Sequence, residues 1–457
     1  MALFSPGIAS ILQTNYTTLD TFLSQLSSTL LTPSQKQIEI DTSLQSQQNE
    51  EYSFHNFYYQ AQLDQNNIAS AQERLYNNVM TQDFTKKWNL PIYYQLRFGE
   101  VCKRITKSIE LVQKEGWDAN VFTGDESCIK TYRDKHGFEL SFFMEVYDAL
   151  LWLWKPDIVL RPLTHRFLRG AVQILGCVNA FVKGGMEGNI KFFYPSQPDN
   201  NVNAPKNFNC DTYCWCDSIE VVANVAWNAT VLERCIKKDY VEVIINQVAS
   251  LSKGDHNISG FQNDIVDLKA NINQLILEAS KEILPMVSKA WEDIIVNSLK
   301  SKCSEPLLAV RGVAATYRMT NRPPPTQSSP FVSTILRPLK TFDRKYATKI
   351  PQTVDPKWKE SIIMTVSSNY SKAVSELIET VQRTEEALKN RKARKAVMGI
   401  MSDGEKVKLQ LYLDQTEFSR CVSELGVKPS LIEGVRQLVS LTQDAERLVL
   451  QSKKGDS

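Results

Sequence analysis

The chain has 457 residues, with 53 Lys and Arg against 51 Asp and Glu, and a formal net charge of +2. A chain of this length predicts two to four packing units, at roughly 100 to 200 residues for each domain. The near balance of charge excludes a strong overall field that would hold a polyanion, so we expect no nucleic-acid partner. Nine cysteines, scattered without a dense framework, are typical of reduced thiols and favour the cytosol.

The first part of the chain differs in composition from the rest. Residues 1–85 contain eight acidic residues but only two basic ones, Lys36 and Arg74. No Lys or Arg precedes Lys36, so the charged start of a signal peptide is missing and we expect no secretion. We predict that residues 1–83 form a polar lead-in, rich in Gln, Asn and Ser and partly helical.

A first helical bundle unit is predicted over residues 84–186. Pro91 suits the first turn of a helix, and apolar residues then recur at helical intervals until Gly116, which predicts about seven turns. A second helix is predicted over Glu139–Trp154, stopped by Pro156, and a third over Pro162–Phe181, ended by Gly184 and Gly185. The apolar stretch 142–160 contains too many charges to span a membrane, so we expect a buried helix there.

Two tryptophans near the end of the second helix lie two residues apart. Trp152 and Trp154 cannot share one face closely, so we expect one to lie in the core and the other to contact a neighbouring element.

An exposed loop is predicted over residues 187–212, where Pro and Asn are frequent. A long-helix unit, 213–317, follows it. Ser218–Leu251 is predicted as one helix, and Ile258–Ala279 has apolar residues alternately three and four apart, which forms a narrow seam. The seam would pair either with another chain or within its own bundle, and the spacing over about three heptads favours the bundle.

The last third contains a Pro-containing connection, 318–354, and a C-terminal helical unit, 355–457. Helical periodicity resumes over Trp358–Leu388, and a helix start is predicted at Ser402 and Glu405. The basic run Lys389–Lys395 has two interpretations, a solvated helix end or a contact with acidic lipid headgroups, and we favour the first. Since no strand pattern flanked by hairpin turns occurs, the predicted class is all-α.

The search for chemistry identifies no catalytic, cofactor-binding or metal-binding residue. The four histidines, His55, His136, His165 and His256, are far apart in sequence and lack ligand spacing, so we expect surface or packed side chains. Cys210, Cys214 and Cys216 form CxxxCxC, but only Cys235 lies near enough to complete a zinc set, so ordinary thiols are the favoured interpretation.

Sequence motifs give the same result. Glycine-rich phosphate loops and GxSxG are absent from the sequence, so we expect no cofactor and no enzymatic activity. Sequons also occur, but without secretion they are chance matches: Asn15, Asn228, Asn257 and Asn369.

Four blocks, taken in order, resemble the subunit 2 family of the conserved oligomeric Golgi tethering complex, over about residues 84–440. They are Lys87–Phe98 (KWNLPIYYQLRF); Trp154–Asp157 with His165–Phe167 and Gln173–Leu175; Tyr317–Arg322 with Leu336–Leu339; and Met401–Asp403 with Lys408–Leu411.

The resemblance implies a CATCHR-like tethering fold, an elongated rod of consecutive helical bundles. It also implies a non-catalytic subunit that acts in intra-Golgi retrograde transport and Golgi organisation, at the cytoplasmic face of the Golgi membrane. The implied partners are the other subunits of the complex, fusion proteins, small GTPases and coiled-coil tethers, and the implied membrane association is peripheral, through those partners.

Family members begin with a long N-terminal helical region that joins the core of the assembly. This chain starts partway along that region, so we expect a truncated product or an incomplete gene model. The alternative function is a helical scaffold in another, exocyst-like trafficking tether, and the partners recovered with the chain would separate the two hypotheses.

Overall fold

The computed structural model describes residues 4, 7–30, 75, 78–187, 218–252, 261–320, 322–391 and 401–445. All regular secondary structure in these ranges is helical, which confirms the predicted all-α class. The chain divides into two compact units: Met1–Trp215 with Asn228–Leu284, and Cys216–Trp227 with Pro285–Ser457. The finer division predicted from the sequence stays a prediction.

The first unit contains eight complete α-helices among its described residues. They are α1 (Ala9–Leu30), α2 (Val79–Thr85), α3 (Leu90–Glu115), α4 (Glu126–Thr131), α5 (Ser141–Trp152), α6 (Thr164–Glu187), α8 (Val241–Ser252) and α9 (Phe261–Ser280). A further helix, α7 (Ile219–Cys235), contains the division between Trp227 and Asn228. A 3-10 turn, Arg161–Leu163, leads into α6. Helix α3 packs against α5 and α6, and α9 packs against α6 and α8.

The second unit is built around one long helix, α15. Its α-helices are α10 (Ile283–Ala290, which begins just before the division), α11 (Asn297–Ser304), α12 (Gly312–Tyr317), α13 (Val332–Ile335), α14 (Arg337–Tyr346), α15 (Trp358–Arg391), α16 (Asp403–Glu424) and α17 (Glu433–Thr442). Three 3-10 turns, Glu305–Arg311, Pro429–Leu431 and Gln443–Ala445, complete it. Helix α17 lies along α15, and α16 contacts both.

Three π-helical segments interrupt or extend the α-helices. They are Tyr132–His136 after α4, Ile236–Tyr240 between α7 and α8, and Trp291–Val296 between α10 and α11. Because α7, the second segment and α8 follow one another without a break, the predicted single helix over Ser218–Leu251 is confirmed with a π turn inside it.

Local sequence signals explain where several helices begin and end. The side chain of Asn89 accepts a hydrogen bond from Ile92 N at 3.4 Å, Pro91 lies in the first turn of α3, and Gly116 ends the helix at φ 88°. Ser402 and Glu405 form a reciprocal capping box at the start of α16. The helix ends predicted at these residues are confirmed. Each depends on hydrogen bonds and backbone angles of residues within a single turn, which the local sequence specifies.

One predicted helix end is wrong. Helix α6 continues through Gly184 and Gly185 to Glu187, whereas we expected the glycines to end it. Neither glycine has a positive φ. In the described chain, the glycines with positive φ are Gly116, Gly137 and Gly426. A glycine permits the left-handed conformation but does not impose it, so burial of the α6 face decides the outcome.

The seam predicted over Ile258–Ala279 packs inside the chain as far as it is described. Ile272 and Ile276 of α9 are buried, while Leu275, a member of the seam, is 43% exposed. Asn179 of α6 donates to the carbonyl of Ala279 at 3.1 Å. The buried face therefore follows a spacing of four residues towards α6, rather than the alternating spacing of a coiled coil.

Several predictions fall on residues outside the described ranges. These are the loop 187–212 beyond Glu187, residues 31–74 of the lead-in, Cys210, Cys214 and Cys216, and the basic run from Lys392 onwards.

Candidate functional site

The first signature block lies at the start of α3 and works through packing. Trp88 is buried, and its ring meets those of Phe4 at 5.0 Å and Tyr16 at 5.4 Å, both edge to face. Tyr93 is also buried, and its hydroxyl donates to the carbonyl of Ile158 at 2.5 Å. The block therefore joins the start of α1 and the turn after α5 to α3.

The second block continues this junction. Trp154 is buried, and its Nε1 donates to the hydroxyl of Tyr240 at 2.8 Å. Trp152 is half-buried, and the guanidinium of Arg97 lies 5.7 Å from its ring centre. This confirms the expectation that one tryptophan lies in the core and the other contacts a neighbouring helix.

A buried carboxylate holds the turn after α3. Glu145 of α5 has no exposed surface, and it accepts hydrogen bonds from Thr123 N at 2.9 Å and from Arg104 Nε at 2.7 Å. The other arm of Arg104 binds Asp148 at 2.7 Å, and Tyr132 donates to the same carboxylate at 2.9 Å. Burial lowers the pKa of Arg104, whereas the carboxylates of Glu145 and Asp148 raise it. The net effect is a raised pKa, so the guanidinium stays charged.

The third and fourth blocks meet in the second unit, where one face of α16 holds the first part of the Pro-containing connection, between Met319 and Ser329. Asp403, Lys406, Gln410 and Asp414 are spaced three, four and four residues apart, so they share a face of the helix. We call these four residues the α16 ladder. Each contacts the backbone of the segment 319–329, which has no regular structure of its own over most of its length.

The contacts of the α16 ladder follow the order of the chain. Asp403 accepts from Met319 N at 3.1 Å, and Lys406 Nζ donates to the carbonyl of Arg322 at 2.7 Å. Met319 has φ 56°, the one positive value of a non-glycine residue in the described chain. The contact with Asp403 therefore holds a backbone conformation that most side chains disfavour.

Gln410 and Asp414, the last two residues of the α16 ladder, are buried. The Gln410 amide donates to the carbonyl of Gln327 and to Asp414, each at 2.9 Å, and its oxygen accepts from the hydroxyl of Tyr317 at 2.7 Å. Asp414 accepts from the backbone N–H of Ser329 at 2.5 Å and from its hydroxyl at 2.8 Å. Both hydrogens of the Gln410 amide are thus used, as a buried polar group requires.

Asp414 is the ladder residue with the most unusual electrostatics. It has no exposed surface, and burial raises the pKa of its carboxyl above the ordinary value of 3.8, while the hydrogen bonds from Ser329 and Gln410 lower it by less. Sequence reasoning missed this residue. The available signal was its helical spacing from Gln410, which lies in a signature block, on a face that the apolar periodicity turns inward.

The histidines separate into two environments. His165 is exposed, as expected of a surface side chain, while His55 and His256 lie outside the described ranges. His136 is instead half-buried, and its Nδ1 lies 3.4 Å from Cys235 Sγ and 3.5 Å from Asp239 Oδ2. These are the residues in the described chain that could hold a metal ion. Sequence reasoning missed the group because 99 residues separate His136 from Cys235.

No helix within the described ranges has both the length and the apolar character that crossing a membrane requires. The stretch 142–160 is part of the core, as predicted, with Phe142, Met144 and Val146 of α5 almost fully buried.

The all-helical fold, with signature segments that hold one another in place, defines a helical packing scaffold. The model of the family described as COG complex component, COG2, C-terminal, matches residues 86–415. The chain belongs to this family, and the resemblance carried by the four blocks is confirmed.

Curated relatives agree with the family match. The chain is similar to conserved oligomeric Golgi complex subunit 2 of Arabidopsis thaliana, with 25% identity over 79% of this chain and 44% of that protein. The protein of the same name from Homo sapiens is 24% identical over 82% of this chain and 50% of its own length. The protein of the same name from Dictyostelium discoideum is 29% identical over 56% of this chain and 26% of its own length. The chain spans about half the length of its relatives at most, and no solved structure matches it significantly.

Proposed function

We propose that the chain is a non-catalytic subunit of the conserved oligomeric Golgi complex, a multisubunit vesicle tether that acts in intra-Golgi retrograde transport and Golgi organisation. The observation that carries the proposal is the family match over residues 86–415. Its site of action is the cytoplasmic face of the Golgi membrane, where it associates peripherally through its partners. Those partners are the other subunits of the complex, together with fusion proteins, small GTPases and coiled-coil tethers.

The contacts of the signature-block side chains support the proposal that the chain is a non-catalytic scaffold. Trp88 and Tyr93 pack or bind within the first unit, and Gln410 binds the backbone of the second. A catalytic group needs a free polar atom directed at a substrate. The polar atoms of Tyr93 and Gln410 instead bind the chain itself, and the ring of Trp88 is buried, which supports a structural role for these residues.

Co-purification tests the proposal. The full chain with an affinity tag would be expressed in cells, recovered under mild conditions, and its partners identified by mass spectrometry. We expect the other subunits of the Golgi complex to be enriched over an unrelated helical protein with the same tag. Recovery of exocyst subunits instead, or of no Golgi tether subunit, would overturn the proposal.

Microscopy gives an independent measurement. The chain carrying a fluorescent label should coincide with a Golgi marker, and it should be released from membranes by high salt, as a peripheral protein is. A signal that stays diffuse when the other subunits are present at normal levels contradicts the proposed location.

A further inference from the structure

His136, Cys235 and Asp239 form a compact group of three metal-ligating side chains in the first unit, which we call the HCD cluster. Their ligand atoms all lie within 4.8 Å of one another. Cys235 is 3% exposed, whereas the side chain of Asp239 is 40% exposed, so the cluster has one buried side and one side open to solvent. An ion can therefore reach it without opening the core.

We propose that the HCD cluster binds one zinc ion, through His136 Nδ1, Cys235 Sγ and one carboxylate oxygen of Asp239, with water in the fourth position. Tetrahedral zinc with bonds of about 2.3 Å to sulfur and about 2.0 Å to nitrogen or oxygen requires edges of about 3.6 Å for S···N and about 3.3 Å for N···O. The observed separations are 3.4 Å from Cys235 Sγ to His136 Nδ1 and 3.5 Å from that nitrogen to Asp239 Oδ2. These two separations are close to the required edges, and the third pair, Cys235 Sγ and a carboxylate oxygen of Asp239, lies within 4.8 Å.

The backbone around the cluster is unusual on both sides. His136 is the last residue of the π-helix Tyr132–His136, and Asp239 lies in the π-helix Ile236–Tyr240, directly after Cys235. π-helical turns are rare, and they occur frequently at functional sites. Two of the three in the described chain meet at this cluster. Gly137, with φ 85°, then turns the chain away from His136.

The histidine is held in place before any ion binds. Its ring meets that of Tyr147 at 5.4 Å and an angle of 63°, and that of Tyr132 at 6.1 Å. Arg234 donates to the carbonyl of His136 at 2.7 Å, which fixes the backbone. A metal-binding side chain that is already ordered loses little conformational entropy when the ion binds, so the free energy of binding is reduced less by the ordering of the site.

The charges around the cluster favour a soft metal over a hard one. Lys135 and Arg234 lie beside His136 and disfavour a bare cation. A thiolate and a carboxylate together offset the two charges of the ion. Calcium and magnesium require several oxygen ligands, which the cluster does not offer, whereas sulfur and imidazole suit zinc.

Bound zinc would connect two distant parts of the first unit. His136 follows α4, and Cys235 and Asp239 lie at the junction of α7 and α8. The ion would add a cross-link to the contact that Arg234 makes with His136, and would stabilise this unit in proportion to its affinity. The alternative is a cluster without metal, in which the thiol donates a hydrogen bond to the imidazole.

Cobalt(II) in place of zinc distinguishes the two states, because a thiolate bound to cobalt gives a charge-transfer absorption band. The full chain would be stripped with a chelator, checked by circular dichroism and titrated with cobalt(II), then with zinc. We expect one cobalt per chain with this band, and its loss when zinc is added. Absence of the band in the folded chain overturns the proposal.

Substitutions assign the site. Cys235→Ser should abolish the band, and Asp239→Asn, at an exposed position that tolerates the change, should weaken cobalt affinity about tenfold or more. Cys421→Ser is the matched control, because Cys421 lies 3.7 Å from a carboxylate of Glu417 in the second unit. It should leave the band unchanged. A band that survives both Cys235→Ser and Asp239→Asn places the metal elsewhere and overturns the proposal.

Discussion

Asp414 binds Ser329 twice, through the backbone N–H at 2.5 Å and through the hydroxyl at 2.8 Å, and so fastens the end of the segment 319–329 to α16. The two residues are 85 positions apart in sequence. The described residues of this segment form no helix, so side chains from α16 satisfy backbone groups that a helix would satisfy internally.

Replacing the carboxylate tests how much this contact stabilises the unit. Asp414→Leu leaves the N–H and hydroxyl of Ser329 and one hydrogen of Gln410 without a partner, and we expect a loss of about 3 kcal/mol or more in the free energy of unfolding. Asp414→Asn retains an acceptor oxygen, and the serine hydroxyl can rotate to accept from the new amide, so its loss should be much smaller. Urea unfolding measures both, with exposed Asp293→Asn as the control. Equal losses for Leu and Asn would contradict the assigned hydrogen bonds.

The pH dependence of stability follows from the same residue. Burial raises the pKa of Asp414 in the folded chain above its ordinary value of 3.8. Between the two values the folded state binds the proton more tightly than the unfolded state, so the contribution of this group to the free energy of unfolding falls as pH rises. The stability advantage of the natural chain over Asp414→Asn should therefore shrink with rising pH in that window. A difference that stays constant, or grows, is the contrary result.

Tyr317 offers a milder test of the buried half of the ladder. Tyr317→Phe removes the hydroxyl that donates to Gln410, and we expect a loss of about 0.5–1.5 kcal/mol in the free energy of unfolding. Tyr412→Phe, at a half-buried position on α16 itself, is the control and should change little. If both variants unfold at the same urea concentration as the natural chain, the Tyr317 hydrogen bond contributes nothing.

The buried pair of Arg104 and Glu145 should show strong coupling. Arg104→Met leaves a carboxylate with no exposed surface without its cation, and we expect a cost of about 3–5 kcal/mol. Arg104→Met with Glu145→Gln should cost less than the two single changes added together, because the neutral amide no longer requires a cation. A double-mutant cycle by chemical unfolding measures this difference. Additive losses would mean that the two residues act independently.

Two glycines provide a matched pair for the packing of α17 on α15. A Cβ at Gly434 would lie 2.5 Å from Ser368 N and 2.7 Å from Ser367 C, atoms of the α15 backbone that cannot move aside. Gly434→Ala should therefore force the helices apart and destabilise the second unit by about 1–3 kcal/mol. A Cβ at Gly312 meets nothing within 4 Å, so Gly312→Ala should be neutral or stabilising by up to about 1 kcal/mol. Thermal unfolding measures the stability of both variants. If Gly312→Ala were the more destabilising one, the close approach of α17 to α15 at Gly434 would be refuted.

The sequence predicted the helices well where the signal lies within one turn. Asn89, Pro91 and Gly116 bound α3, and Ser402 with Glu405 begins α16, because capping involves groups only a few residues apart. It predicted α6 less well. Gly184 and Gly185 only permit an end, and whether the helix continues depends on what its face packs against.

By itself, the sequence determined the all-α class, the main helices and, through four ordered blocks, the family, because periodicity and short motifs are local properties of the chain. Only the tertiary structure decided how those blocks are used. It brought Gln410 to Gln327, and Asp414 to Ser329, across more than 80 residues in each case. It also placed His136 against Cys235 and Asp239. Such contacts depend on how helices pack, and no local pattern encodes the distance between residues on different helices.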